Sequence, residues 1–142
     1  MILHSFYQWA NLTLLLLACG LGAWRGRWPE RVAAAAMMLA WIASTLFHNG
    51  TQTMGADTGI ILIDALLFAV LLTIALTSER WWPLWACAFH GLSVVLGLAM
   101  AVDHRVWSAA GFVSAEAFSY LTMLALLVGA LGRPAPRQPV AD

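Results

Sequence analysis

Five apolar runs, each near the length that crosses a lipid hydrocarbon core, constrain this chain more than any other feature. The clearest two, 60–76 and 84–102, are parted only by the polar knot Glu79-Arg80-Trp81-Trp82-Pro83. A helix rises about 1.5 Å per residue, so some 20 apolar residues cover a core roughly 30 Å thick. Arg and Trp favour the water–lipid boundary, and Pro is tolerated in the first turn of a helix. The knot therefore reads as a tight turn joining two transmembrane helices.

The remaining runs repeat the pattern. The expected crossings lie at about 5–24, 32–48, 59–77, 82–102 and 106–131. The Pro-rich tail, 133–142, has no apolar face and is expected to be extended and disordered. Of 142 residues 62% are hydrophobic and 10% charged, where a soluble domain is about half apolar and a quarter charged. The fold class expected is all-α: one polytopic bundle of five transmembrane helices, or four if the first is cleaved. The first run resembles a secretion signal, and Leu16-Leu17-Ala18-Cys19 resembles a lipoprotein cleavage box. Residues 1–11 lack the positive charge a signal needs. A retained helix is the preferred reading.

Sidedness follows from arginine, which supplies all seven basic residues. Arg25, Arg27, Arg31, Arg80, Arg133 and Arg137 fall at one set of helix ends, and Arg105 alone at the other. Basic residues flanking short loops stay cytoplasmic. The N-terminus is thus expected outside and the C-terminus in the cytoplasm of a bacterial-type inner membrane. Arg27, Trp28, Arg80, Trp81 and Trp82 are the expected interfacial anchors. Only Trp41 and Trp85 fall well inside a crossing.

The two Arg-bearing turns are alike, Arg27-Trp28-Pro29 and Arg80-Trp81-Trp82-Pro83. Duplication of a hairpin would explain this. Shared interfacial chemistry explains it as well and is preferred. Asp57 or Thr58 is placed to cap the third helix.

Chemistry-bearing side chains gather toward the external leaflet. Carboxylates inside a membrane helix usually face protein and often act; Asp64 and Glu116 are the two here. Asn11, Ser44, His48, His90 and Tyr120 complete the expected intramembrane cluster, with Asp103, His104 and Arg105 in the adjoining periplasmic link. Ala36, Ala40, Ser44 and His48 recur every fourth residue, a small-residue stripe that allows close helix approach. The cytoplasmic half is expected to offer only lipid-facing or packing surface.

Several classes are excluded or disfavoured. No basic patch of the nucleic-acid-binding kind is present, and no strand-like alternation indicates a barrel. Cys19 and Cys87 have neither CxxC nor zinc spacing, so packing is their expected role. No hydrolase motif occurs, no catalytic residue is assigned, and no metal or cofactor is implied. A haem held by His48 and His90 is a remote reading, since the two lie at different depths.

Two broader readings remain. The cluster either ties the bundle together in a structural or accessory component of a membrane assembly, or it relays protons, ions or a small solute. The first is preferred. The expected partners are the lipid bilayer and either a second copy or a larger membrane complex.

Overall fold

The computed structural model describes residues 2–50, 54–102 and 109–132, and side chains within 9–46, 59–102, 113–114 and 116–132. Five α-helices account for nearly all of them: α1 Ile2–Arg25, α2 Trp28–Gly50, α3 Met54–Thr77, α4 Trp82–Val102 and α5 Ala109–Leu131. No strand occurs among the described residues. Each helix packs on its neighbour in the chain, and α5 returns to pack on α1, closing a ring across which α2 also touches α5.

The expected helix count holds, and α4 has the expected bounds. Two starts move. α2 begins at Trp28 rather than 32, because Glu30 supplies a cap that lets the helix form ahead of the apolar run. α3 begins at Met54, so Asp57 and Thr58 lie inside the helix and neither caps it. An Asp in the opening turns of a helix is favoured by the helix dipole, so it need not end the segment.

The buried residues form one stripe per helix at 3–4 spacing: Leu15, Ala18 and Cys19 on α1; Ala33, Ala34 and Met37 on α2; Leu67, Leu71, Ile74 and Ala75 on α3; Trp82, Ala86, Cys87 and His90 on α4; and Thr122, Met123, Leu126 and Ala130 on α5. On α2 this stripe is offset from the expected one, leaving Ala36, Ala40 and Ser44 half-buried. These positions lie in the last halves of α1, α3 and α5 and the first halves of α2 and α4. The core therefore sits at the end of the bundle that carries the α1–α2 and α3–α4 turns. Leu71, Ile74 and Leu126 supply packing surface of the kind expected there, but the same end also buries a charged residue, Glu30.

The outer surface is largely apolar. Leu16, Leu17, Leu39, Leu62, Leu66, Leu76, Val95 and Val128 are all exposed. Two helices, over Gly59–Thr77 and Trp82–Val102, are long and apolar enough to cross a membrane, by length and composition.

One close approach holds the core end together. Gly129 of α5 lies under the Trp82 indole of α4, and a Cβ there would come within 2.5 Å of the ring. Gly20 and Gly97 have nothing within 4 Å of the same position. Gly129→Ala should lower the detergent melting temperature by the equivalent of about 1–3 kcal/mol of overpacking. Gly20→Ala and Gly97→Ala should leave it unchanged or slightly raised, as Ala favours the helix. Equal effects at all three sites in a thermal melt would contradict the packing described.

Candidate functional site

The most fully engaged polar group in the bundle is Glu30, which the sequence reading passed over. Arg27 ends the α1–α2 turn, and its carbonyl accepts the first hydrogen bond of α2 from the Arg31 N–H at 3.0 Å. Glu30 lies three residues on and turns back, its Oε2 accepting from the Arg27 N–H at 2.8 Å. This is half of a capping box. The spacing was readable in the sequence, but Arg27 is not a residue that usually announces a cap.

The other carboxylate oxygen faces the bundle. Glu30 Oε1 is paired with the Arg80 guanidinium and accepts a hydrogen bond from Trp82 Nε1 at 2.7 Å. Arg80 also reaches the Gly129 carbonyl at 3.4 Å, near the C-terminus of α5. A cation there is favoured by the helix dipole. Glu30 is fully buried, whereas the Arg80 side chain keeps 23% of its exposure. One carboxylate thereby joins the α1–α2 turn, the α3–α4 turn, α4 and α5.

The expected interfacial anchors divide accordingly. Trp28 and Trp81 are exposed, at 55% and 79%. Trp82 is only 6% exposed, buried by its hydrogen bond to Glu30 and its seat on Gly129, so the interfacial expectation is corrected for this residue. Arg80 is half-buried and committed to Glu30, while Arg27 is exposed. Trp28-Pro29 and Trp82-Pro83 both open a helix, yet one Trp faces outward and the other inward. Trp41 and Trp85, at 40% and 57%, also face outward.

At the other end the expected cluster resolves into helix pairs. Asn11 of α1 donates from Nδ2 to Glu116 Oε2 of α5 at 3.2 Å, while its own Oδ1 is buried without a partner. His90 of α4, 5% exposed, has Nε2 at 3.1 Å from the Asp64 carbonyl of α3. The Asp64 side chain is half-buried. Tyr120 and Ser44 are half-buried. The side chain of His48, and all of Asp103, His104 and Arg105, lie outside the described residues. Among the described residues no group of three or more His, Cys, Asp or Glu is placed to hold a metal ion.

Electrostatics at Glu30 have a definite sign. Burial alone would raise its pKa; the hydrogen bonds from Arg80, Trp82 and the Arg27 N–H outweigh that and hold it below the ordinary glutamate value. A carboxyl depressed in the folded state stabilises the fold at pH above its unfolded pKa, about 4.3. That stabilisation is lost as pH falls through the lower, folded value. Thermal melts from pH 7 down to pH 3 should therefore show a loss of stability on the acid side. Glu30→Gln should be less stable by about 3 kcal/mol at pH 7, from leaving Arg80 unpaired, and its acid limb should be flatter. A variant with an unchanged pH profile would show that the depressed carboxyl is not Glu30.

Comparison of the chain with protein-family models, curated proteins and solved structures finds no match.

Proposed function

We propose that this chain is a five-span protein of a bacterial-type inner membrane that serves as a structural or accessory component of a larger membrane assembly. Its N-terminus lies outside and both Arg-bearing turns lie in the cytoplasm. The observation that carries the functional reading is the use of the polar side chains. Glu30, Arg80 and Trp82 tie α2, α4 and α5; Asn11 and Glu116 tie α1 to α5; His90 ties α4 to α3. Polar groups that pair across helices in lipid hold a bundle in register. A conduit needs them linked end to end along the membrane normal instead.

The membrane reading is supported by where the apolar surface points. Only 17% of each of the two spanning segments is buried inside the bundle. The core helix of a soluble protein would be mostly buried, whereas these faces suit hydrocarbon. Trp24 and Trp81, at 81% and 79% exposed near the arginine end, suit the headgroup layer.

One observation favours a second reading. The His90 ring lies 3.1 Å from the Asp64 carbonyl across α3 and α4, and intramembrane acid and histidine residues serve as proton relays in pumps and transporters. The two readings part on paired variants. Under the accessory reading, Asp64→Asn and Glu116→Gln leave proton flux into proteoliposomes unchanged, Glu116→Gln lowers the melting temperature, and the wild type purifies in mild detergent with a stoichiometric membrane partner. Measurable wild-type flux that is abolished by Asp64→Asn would replace this reading with conduction. For the topology, a reporter fused after Glu79 should be active only on the cytoplasmic side, and periplasmic activity would overturn the arrangement proposed.

A further inference from the structure

We propose that the α1–α2 turn is a binding site for the headgroup of an anionic phospholipid of the cytoplasmic leaflet; this rests on the membrane reading above. The turn is short. α1 ends at Arg25 and α2 begins at Trp28, leaving only Gly26 and Arg27 between them. Arg25, Arg27 and Arg31 fall within seven residues, and all three are exposed.

Their charge is uncompensated locally. The acidic side chain of this turn, Glu30, is fully buried, and its ion pair is with Arg80 of the next turn. Among the described residues no ion pair engages Arg25, Arg27 or Arg31. Glu79 is exposed on the neighbouring turn, a single negative charge against three positive ones. With Glu30 buried and answered by Arg80, the turn presents three exposed positive charges and no negative one of its own.

The turn is also fixed in place. The Gly26 N–H donates to the Gly22 carbonyl at 3.1 Å and the Arg27 N–H donates to Glu30 at 2.8 Å. A Cβ at Gly26 would collide with the Gly22 carbonyl oxygen and the Glu30 side chain. A fixed backbone leaves only the side chains to be ordered on binding a phosphate, and the planar guanidinium forks match phosphate oxygens. Trp24 and Trp28, 81% and 55% exposed, flank the arginines with apolar surface suited to glycerol and upper acyl chain. Phosphate beside three cations, with apolar chains beside two indoles, is the chemistry of an anionic phospholipid rather than of a soluble anion.

The test is native mass spectrometry of the full chain released from nanodiscs of equal phosphatidylglycerol and phosphatidylcholine. Wild type should retain the anionic lipid several-fold over the zwitterionic one. Arg25→Gln, Arg27→Gln and Arg31→Gln together should bring that several-fold ratio to near parity, the direction expected for losing three headgroup-level charges. The matching triple Lys variant should keep most of the preference. Parity in the wild type, or an unchanged ratio in the Gln variant, overturns the lipid site while leaving the membrane reading intact. Release of the wild type from membranes by alkaline carbonate overturns both.

Discussion

A buried carboxylate needs an answering charge, and that need at Glu30 organises the arginine end of the bundle. Breaking such a pair on one side costs about 3–5 kcal/mol, because the remaining charge stays buried and uncompensated. Arg80 can answer only if the α3–α4 turn folds back over the start of α2. Trp82 can donate only if α4 begins where it does, and the indole fits only because Gly129 leaves room on α5. Four elements are thus placed by one side chain. The capping bond to Arg27 adds a fifth restraint, fixing the turn from which Glu30 itself projects.

The two ends of the bundle are built differently. Toward the arginine end, small and aliphatic side chains interdigitate around Leu15, Ala34, Leu71, Ala86 and Leu126, all nearly or fully buried. Toward the other end the buried stripe, which ends at His90 on α4, gives way to half-buried residues, and polar contacts join the helices in pairs, Asn11 with Glu116 and His90 with the Asp64 carbonyl. Association of helices in lipid draws on both devices, close packing of small residues and hydrogen bonds between helices. In this chain they are separated along the bundle. The packed end sets the geometry, and the polar end inherits it.

Much of the fold was legible in the sequence because run length and arginine placement are coarse signals. Five runs gave five helices, and Trp82-Pro83 marked the start of α4, whereas Trp28-Pro29 reads as turn in the sequence and opens α2 in the structure. Fine placement was not legible. Trp82 carries the same local signal as Trp28, and only the neighbouring Gly129 and Glu30 send one inward and leave the other outside. Glu30 was overlooked for a related reason: it is one of four charged residues in the seven from Arg25 to Arg31, and its burial depends on Arg80 and Trp82, which are distant in the chain. The external cluster was read as one gathering of side chains because depth along a helix is readable from sequence. Azimuth around the bundle is not, and azimuth sorts Asn11 and Glu116 onto one helix pair and Asp64 and His90 onto another.

The account stands on the coupling between Glu30 and Arg80. A double-mutant cycle by equilibrium unfolding in detergent measures it directly, using Glu30→Gln, Arg80→Gln and the combined variant. Either single change strands a partner at the core, so the double variant should be no less stable than the worse single one, with an interaction energy of about 3 kcal/mol. Strict additivity of the two changes would mean that the ion pair does not hold the bundle, and would contradict the account.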